Sequence, residues 1–241
     1  MPTPRILATS GGFLPTDRWG VMVPGGCVAE ALRLTGKDRP RLTFVLTASG
    51  DDRGYVSRTY GAFRGWSVDV GHLELFSQPN VEPEEALLGA DVIWVGGGSV
   101  ANLLAVWAVH GVDTLMRQAW ESGVVLSGVS AGAICWHVGG PTDSFGPTLR
   151  PVTNGLGLLP YGCGVHYDVE EQRRPVLQQL VADEVLPVSY ATDDGIGILF
   201  EGTDAVRVVA DSPDTTSAAY RVARGDDGTV VEARLEPGPI A

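Results

Sequence analysis

Apolar and polar residues form a repeating pattern along the first half of the chain. Short apolar runs end in turns that contain Gly or Ser, and the segment after each turn carries apolar residues at helical spacing. This order is typical of parallel strands joined by crossover helices. The predicted strands are 5–10, 41–46, 68–75, 91–95 and a fifth that begins at Val124, and the predicted helices are 27–34, 52–66, 83–88, 100–107 and 113–121.

The second half of the chain has a different pattern. Residues 139–158 are rich in Gly, Pro and Thr and, like residues 14–26, are predicted to be a loop. A strand at 159–165, a helix at 170–182 and a strand that begins at Val188 are predicted to follow. Short β-branched segments then predict antiparallel hairpins that cap the sheet, at 196–200, 205–210, 217–222 and 229–235.

Length and composition fit one domain. The 241 residues are 44% hydrophobic, which is enough to bury a sizeable core, and no internal repeat or long linker divides them. The 32 glycines cluster at predicted strand ends, which indicates tight turns and not a low-complexity segment. We therefore expect a single α/β domain over residues 1–241, with a mostly parallel sheet and C-terminal antiparallel strands.

Charge and cysteine content exclude several kinds of protein. The net charge of −12 argues against a nucleic-acid partner, because such proteins use a basic face to displace counterions from phosphates. Three widely spaced cysteines without a Cys/His cluster predict reduced, buried thiols, and neither a disulfide framework nor a metal site. The sequence has no signal-peptide core and no apolar run of about 18 residues, so we expect a cytoplasmic protein with no membrane partner.

One stretch carries a nucleophile pattern. An apolar strand runs into Gly128-Val129-Ser130-Ala131-Gly132, a G-x-S-x-G sequence at a predicted strand-to-helix turn. Small flanking residues let a serine occupy a tight, strained turn, from which its hydroxyl projects above the sheet edge. The Ala131 amide would lie at the helix N-terminus, where a developing negative charge is stabilised. The pattern also occurs by chance around ordinary serines, so its context decides.

A second glycine-rich turn follows the predicted strand 91–95. Gly96, Gly97 and Gly98 stand at the carboxyl end of this strand, where folds with parallel sheets commonly bind ligands. Successive glycines let backbone amides approach a ligand closely. We expect this loop to contribute to the site, although a glycine turn without a ligand would have the same sequence.

The chain offers four histidines as the base that a serine nucleophile needs. His72 lies in a predicted strand well before the serine, and His110 lies at a helix end, where imidazoles commonly cap carbonyl groups. His137 would be about two helical turns, roughly 10 Å, beyond Ser130. His166 directly follows a predicted strand and is the remaining candidate, although a lone histidine is more often structural.

An orienting carboxylate for the base has several candidates. Asp143, Asp168, Asp193 and Asp194 compete for this position. Asp194 precedes a glycine at a predicted strand end, from which its side chain could be aimed at His166. Asp143 could instead bind substrate or stabilise its loop, and either aspartate could be a simple turn or cap residue. The chain order serine, histidine, aspartate differs from that of α/β-hydrolases, so the serine motif does not imply that fold.

Six short segments stand in a specific order along nearly the whole chain. They are 10–12 (Ser-Gly-Gly), 95–98 (Val-Gly-Gly-Gly), 128–133, 158–160 (Leu-Leu-Pro), 165–167 (Val-His-Tyr) and 194–195 (Asp-Gly). Each is weak alone, but in this order and spacing they resemble the peptidase E (aspartyl dipeptidase) family of serine peptidases, relatives of cyanophycinase. The resemblance implies a three-layer α/β fold like that of class I glutamine amidotransferases, with helices on both faces of a mostly parallel sheet.

The resemblance also implies roles for individual residues. Ser130 would be the nucleophile, His166 the base and Asp194 the acid, and the amides of Gly98 and Ala131 would form the oxyanion hole. The implied activity is the release of N-terminal aspartate from short peptides. Neither a metal nor a cofactor is required.

Substrate contacts follow from the same resemblance. A cation near the site should pair with the aspartyl side chain of the substrate, and Arg173 and Arg174 are the nearest candidates, although both could be solvated arginines on a helix. Asp143 lies where the family frequently has an aspartate, so it stays an alternative acid or a substrate contact. The glycine loop of the family usually continues with Asn-Thr, but here it continues with Ser99-Val100, so the preference could have drifted from aspartyl dipeptides.

Three functions fit these observations. The leading one is a serine peptidase that acts on dipeptides with N-terminal aspartate through an acyl-enzyme on Ser130. A related amidohydrolase or esterase could act on a small non-peptide substrate, and a non-catalytic binding protein could use the same scaffold. The sequence leaves open the peptide length, the residue preference and whether the chain forms a homo-oligomer.

Overall fold

The structure is a computed structural model that describes residues 3–240. Its helices are α1 (Gly26–Arg33), α2 (Arg53–Ala62), α3 (Pro83–Leu88), α4 (Val100–His110), α5 (Val112–Ser122), α6 (Ala131–Ile134) and α7 (Arg173–Ala182). Its strands are β1 (Arg5–Thr9), β2 (Phe13–Pro15), β3 (Met22–Pro24), β4 (Arg41–Val45), β5 (Asp69–Leu73), β6 (Val92–Val95), β7 (Val125–Val129), β8 (Gly140–Thr142), β9 (Arg150–Val152), β10 (Gly162–Gly164), β11 (Ser189–Thr192), β12 (Ile196–Glu201), β13 (Asp204–Ala210), β14 (Ala219–Arg224), β15 (Val230–Leu235) and β16 (Gly238–Pro239). The helices and strands predicted for the first half of the chain are present, with ends shifted by a few residues.

The main sheet places its strands in the order β16-β13-β12-β1-β7-β6-β4-β5. Strands β1, β7, β6, β4 and β5 pair in parallel, whereas β12, β13 and β16 add antiparallel strands on one side. The parallel strands bring their carboxyl ends to one edge, where the glycine loop 96–98 and Ser130 follow β6 and β7. The predicted α/β fold with a mostly parallel sheet is confirmed.

Helices cover both faces of this sheet, and alternate residues of the buried strands supply the two cores. In β6, Val92 and Trp94 belong to one core, while Ile93 and Val95 belong to the other. The first core includes residues of α1 and α2, and the second includes residues of α3, α4, α5 and α6. Because successive side chains of a strand point to opposite faces, this four-residue apolar run is buried on both sides.

A second sheet, of four strands, differs from the prediction. Its order is β10-β11-β14-β15, and its parallel pair β10 and β11 is joined through α7. The late segments are predicted to cap one sheet, but β12 and β13 extend the main sheet, while β14 and β15 join the second. Local residue patterns identify strands without identifying their partners, because β-propensity reflects packing in the finished sheet.

Aromatic rings fill the seam between the two sheets. Tyr161, which precedes β10, and Tyr190 of β11 have ring centroids 5.0 Å apart. Both rings pack on Phe200 of β12, at centroid distances of 6.1 and 5.5 Å. Ring pairs at such distances stabilise a contact beyond the apolar area that they bury. The second sheet is thereby held beside the main sheet.

Two regions that are predicted to be loops contain short hairpins. β2 pairs with β3 and β8 pairs with β9, and each of these strands has three residues. Each of the four contains a proline, which is uncommon inside strands. Strands of three residues are also too short to show an alternating pattern that a sequence window can detect.

The helix after the candidate serine is shorter than predicted. It ends at Ile134, after which the backbone of residues 155–159 donates hydrogen bonds to the carbonyl groups of Cys135 and Trp136. Because that loop uses these carbonyl groups, the helical bonding pattern does not continue. His137 therefore lies beyond the helix, where it is buried, and burial lowers the pKa of its imidazole to about 4.

The three cysteines are free and buried, as predicted. Burial raises the pKa of Cys163 to about 12 and also raises the pKa values of Cys27 and Cys135, so these thiols are not thiolate nucleophiles. Within residues 3–240, no helix combines the length and the apolar character that crossing a membrane requires.

Candidate active site

Ser130 occupies a strained turn between β7 and α6. Its φ of 57° and ψ of −112° are values that a non-glycine residue rarely adopts. Its N–H donates a hydrogen bond of 3.0 Å to the carbonyl oxygen of Thr9 in the neighbouring strand. A Cβ atom at Gly132 would lie 2.2 Å from the Val95 carbonyl oxygen, and one at Gly128 would lie 2.6 Å from the same atom. Close backbone packing around this turn therefore requires both glycines.

The glycine loop after β6 lies against Ser130. A Cβ atom at Gly97 would be 3.3 Å from the Ser130 Cβ, and Gly98 has a φ of 134°, which favours glycine. Within residues 3–240, the N–H groups of Gly98 and Ala131 donate to no protein acceptor. The hydroxyl of Ser99 accepts a hydrogen bond from the first turn of α4 and caps that helix. Two amides are thus available beside the serine hydroxyl, whereas the Ser99 side chain is already engaged.

His166 and Asp194 form a hydrogen-bonded pair at the end of the second sheet. The Nδ1 atom of His166 bonds to Oδ1 of Asp194. His166 follows β10 and Asp194 follows β11, and because these two strands are parallel, their carboxyl ends lie side by side. His166 also has a positive φ, of 53°. With Nδ1 engaged by the carboxylate, Nε2 is the ring nitrogen that remains for a hydroxyl or a substrate.

The other candidate aspartates have different contacts. Oδ1 of Asp168 accepts a hydrogen bond of 2.9 Å from the Asp194 N–H. Asp193 is buried, burial raises the pKa of its carboxyl group, and its Oδ2 accepts a backbone N–H at 2.9 Å. Asp143 lies in the β8–β9 hairpin loop and is largely exposed. Within residues 3–240, Asp194 is the one aspartate whose side chain forms a hydrogen bond with the His166 ring.

Ser130 and His166 line one open cleft with a volume of about 290 Å³. The other residues that line it are Gly98, Ser99, Asp143, Ser144, Glu170 and Arg173. Among the described residues, no hydrogen bond joins Ser130 to His166. Such bonds are often long without a substrate and tighten in the complex. A cleft of this size suits a small ligand.

Arg173 is a buried cation in the wall of the cleft. Its side chain is 3% exposed, its Nε donates to Glu170 Oε2 at 2.5 Å, and its Nη1 donates to the Pro141 carbonyl oxygen at 2.8 Å. Its Nη2 lies 4.0 Å from Asp143 Oδ1. The cleft therefore presents a guanidinium group between two carboxylates, and Nη2 is the nitrogen with the weakest protein contact.

Arg174 does not reach the cleft. Its guanidinium lies 4.5 Å from the ring centroids of both Tyr167 and Tyr220, and it pairs with Glu232. Successive residues of a helix point about 100° apart, so two adjacent arginines face different surroundings. The structure thus separates Arg174 from the substrate-binding residues that are predicted with it.

Ser144 and Glu170 line the cleft but are absent from the predicted site. Glu170 stands three residues before Arg173, a spacing that favours an ion pair, and Ser144 directly follows Asp143. The Ser144 hydroxyl lies 2.8 Å from Thr142 Oγ1, which fixes it within its loop. These spacings are visible in the sequence, but they do not indicate that Ser144 and Glu170 line a cleft.

The groups in the cleft are of the kinds that acyl transfer needs. They are a hydroxyl, an imidazole held by a carboxylate, and backbone N–H groups beside the hydroxyl. In the described part of the chain, no group of three or more His, Cys, Asp or Glu side chains is placed to hold a metal ion.

Comparisons of sequence relate the chain to known peptidases. The model of "Peptidase family S51" matches residues 27–208. The chain is 40% identical over 191 residues to the Bacillus subtilis (strain 168) protein named "Uncharacterized peptidase YgaJ", and the match covers 79% of this chain and 81% of that protein. It is 31% identical over 137 residues to the peptidase E of Shewanella denitrificans, which covers 53% of this chain and 57% of that one.

A comparison with solved structures also relates the fold of this chain to that of a peptidase. The crystal structure of a peptidase from an acI-B1 Actinobacterium matches with a TM-score of 0.72 and 17% identity, over 99% of this chain and 97% of that one. At this identity the likeness concerns the fold alone. The sequence match covers more than half of the chain, which confirms the predicted resemblance to peptidase E. The chain belongs to peptidase family S51, the peptidase E family, and is a serine-type peptidase.

Proposed function

We propose that this peptidase hydrolyses short peptides, and in particular dipeptides with an N-terminal aspartate, through an acyl-enzyme on Ser130. The observation that carries the proposal is the His166–Asp194 pair, whose imidazole faces the same cleft as the strained serine. In this proposal residues 1–241 act as one catalytic domain.

Each step of the reaction is assigned to a group in the cleft. His166 Nε2 takes the proton of the Ser130 hydroxyl while the oxygen attacks the scissile carbonyl carbon. Asp194 keeps the imidazole proton on Nδ1 and stabilises the imidazolium ion that forms. The amides of Gly98 and Ala131 stabilise the oxyanion. The imidazolium then protonates the leaving amine, and a water molecule hydrolyses the acyl-enzyme with the same base.

The charges in the cleft support an aspartyl substrate. Among the described residues that line the cleft, Arg173 is the only arginine or lysine, and its Nη2, which lies 4.0 Å from Asp143 Oδ1, is assigned to the β-carboxylate of the substrate. Glu170 makes the close pair with this guanidinium, whereas the Asp143 carboxylate is exposed and lies 4.0 Å from it, so Asp143 is assigned to the α-ammonium group. This division of charge favours a peptide with a free N-terminus and an acidic first side chain.

Hydrolysis of Asp-X, Glu-X and Gly-X dipeptides by the wild type and by Ser130→Ala tests the reaction. We expect Asp-X to be cleaved fastest, and Ser130→Ala to lose at least about 1,000-fold in kcat/KM. A serine-directed phosphonate should label Ser130, which mass spectrometry of the intact protein and its peptides detects. Equal hydrolysis by both proteins would refute the assignment of the nucleophile.

Arg173→Met tests the substrate preference, and Arg174→Met is its matched control. Both changes remove a guanidinium and keep the apolar stem, but only Arg173 lines the cleft. We expect Arg173→Met to lower the ratio of kcat/KM for Asp-X to that for Gly-X by roughly 10- to 100-fold, and Arg174→Met to leave that ratio unchanged. An unchanged ratio in Arg173→Met would contradict aspartyl specificity. Hydrolysis of simple acyl esters without cleavage of any dipeptide would instead favour an esterase.

A further inference from the structure

The end of β1 contacts the loops of all three proposed triad residues, although it carries none of them. The Thr9 carbonyl oxygen accepts the Ser130 N–H at 3.0 Å. The Ser10 hydroxyl oxygen accepts the His166 N–H at 3.0 Å. The Ser10 carbonyl oxygen accepts the N–H of the residue after Asp194 at 3.2 Å. Two consecutive residues therefore link the backbones that carry the hydroxyl, the imidazole and the carboxylate.

The Ser10 hydroxyl is the one side-chain group in these contacts. Ser10 is 4% exposed, and its Oγ lies 2.6 Å from Thr192 Oγ1 and 3.1 Å from the Thr192 carbonyl oxygen. A hydroxyl has one proton to donate, which goes to Thr192, and lone pairs that accept the His166 N–H. Thr192 is the last residue of β11, two residues before Asp194. The hydroxyl thus joins the backbone of the base to the strand that leads to the acid.

His166 depends on such contacts because of its backbone conformation. A non-glycine residue with a φ of 53° keeps that conformation only where its surroundings fix it. The His166 N–H is bonded to Ser10, and the next N–H along the chain, that of Tyr167, donates to the Thr192 carbonyl oxygen at 3.2 Å. Removal of the Ser10 hydroxyl leaves the His166 N–H without this acceptor. The backbone can then relax and move the imidazole away from Ser130.

We propose that Ser10 is a positioning residue for catalysis, whose hydroxyl fixes the backbone of His166 and so sets the imidazole between Ser130 and Asp194. The inference rests on the proposed function, because the effect of Ser10 passes through His166. Ser10 is not among the residues that line the cleft. Its loss should therefore lower the rate of the chemical step and leave substrate binding unchanged.

Kinetics of Ser10→Ala test this inference, with Ser127→Ala as the matched control. Ser127 is also buried, in β7, the strand beside β1, and its hydroxyl donates to the Leu7 carbonyl oxygen at 2.7 Å. We expect Ser10→Ala to lower kcat for an Asp-X dipeptide roughly 10- to 100-fold with KM within about twofold. Ser127→Ala should leave kcat within about twofold. Equal losses of kcat in the two variants would overturn the proposal.

The same substitution in a His166→Ala background separates positioning from a general loss of structure. If Ser10 acts through the imidazole, adding Ser10→Ala to His166→Ala should change the residual kcat by less than about twofold. A loss of the same size in both backgrounds would mean that Ser10 acts elsewhere, which overturns the proposal.

A proton NMR signal tests the same inference without hydrolysis. The His166 Nδ1 proton, bonded to Asp194, should give a downfield resonance that disappears in Asp194→Asn. We expect Ser10→Ala to shift or broaden this resonance and Ser127→Ala to leave it in place. An unchanged resonance in Ser10→Ala would overturn the proposal. If the wild type cleaves none of the peptides, the proposed function fails, while this resonance still decides the role of Ser10.

A second pair of variants keeps the test available if Ser10→Ala does not fold. Thr192→Val removes the hydroxyl that contacts Ser10 and keeps the side-chain shape, whereas Thr192→Ser keeps the hydroxyl. We expect Thr192→Val to lower kcat and alter the resonance, by less than Ser10→Ala because the Thr192 carbonyl oxygen still accepts the Ser10 hydroxyl, and Thr192→Ser to resemble the wild type. The opposite ranking would contradict the role of this hydroxyl pair.

Discussion

Acid should destabilise the fold through His137. This side chain is 1% exposed, its Nδ1 lies 2.8 Å from the Ala133 carbonyl oxygen, and burial lowers its pKa from 6.5 to about 4. Because the pKa is lower in the folded state, the unfolded chain binds a proton between these two pH values and the folded chain does not. The stability that the neutral imidazole contributes is therefore complete above about pH 6.5 and is lost as the pH falls towards 4.

The size of this effect follows from the two pKa values. The difference between 6.5 and about 4 corresponds to roughly 3 kcal/mol at full protonation, since each pH unit is worth about 1.4 kcal/mol. Between about pH 7.5 and about pH 5, the linkage relation gives a loss of roughly 2 kcal/mol in the free energy of unfolding. Cys163 and Tyr190 line the same small cavity, and burial raises the pKa of each, so both stay neutral over this interval.

Urea denaturation at the two pH values measures the effect. His137→Asn removes the titrating group and keeps a donor near the Ala133 carbonyl oxygen. We expect the free energy of unfolding of the wild type to fall by roughly 2 kcal/mol more than that of His137→Asn between these pH values. Cys163→Ala opens the same cavity without removing the imidazole, so its pH dependence should match that of the wild type. The same pH dependence in wild type and His137→Asn would refute the reasoning.

Three further predictions concern the cleft and its surroundings. Asp194→Asn should lower kcat roughly 10⁴-fold because the imidazole loses its orienting acceptor, whereas Asp143→Asn should mainly raise KM. Steady-state kinetics on an Asp-X dipeptide compare the two variants, and a larger loss of kcat in Asp143→Asn would make Asp143 the acid. Gly98→Ala should abolish activity, because its Cβ would lie 2.3 Å from a backbone carbonyl oxygen. Gly146→Ala is the control, since Gly146 has the same φ of 134° but open space around it, and this variant should keep most of kcat/KM. Similar kcat/KM values for the two variants would contradict the packing argument. Arg174→Ala should lower the free energy of unfolding by about 1–3 kcal/mol in urea denaturation, because two tyrosine rings lose their cation, and should leave KM within about twofold. A tenfold rise in KM would place Arg174 at the substrate.

The location of Ser130 could be predicted because its requirements are local. The turn brings Gly128 and Gly132 against the backbone of β6, so glycine is needed at both positions and marks the turn in the sequence. Gly98 is marked in the same way by its positive φ and by the close approach of its neighbouring loop. His166 follows an apolar run that predicts a strand, and this run places it near the carboxyl end of β10, which ends two residues earlier.

Other features depend on contacts between distant parts of the chain. Adjacent Arg173 and Arg174 have the same chemistry, and only the packing of α7 against the second sheet decides which of them lines the cleft. Ser10 is followed by glycines in a loop, and nothing in that stretch indicates that its hydroxyl meets a residue 156 positions later. Partners of this kind are fixed by tertiary structure and leave no local pattern.

The proposed triad is divided between two sheets, with Ser130 on one and both His166 and Asp194 on the other. The transfer of a proton from hydroxyl to imidazole therefore depends on the contacts between the sheets, which include the seam of aromatic rings and the hydrogen bonds of Ser10. Slight separation at that seam would leave every strand paired within its own sheet and still halt turnover. As the denaturant concentration rises, the enzyme should therefore lose its peptidase activity before its far-UV circular dichroism departs from that of the native protein.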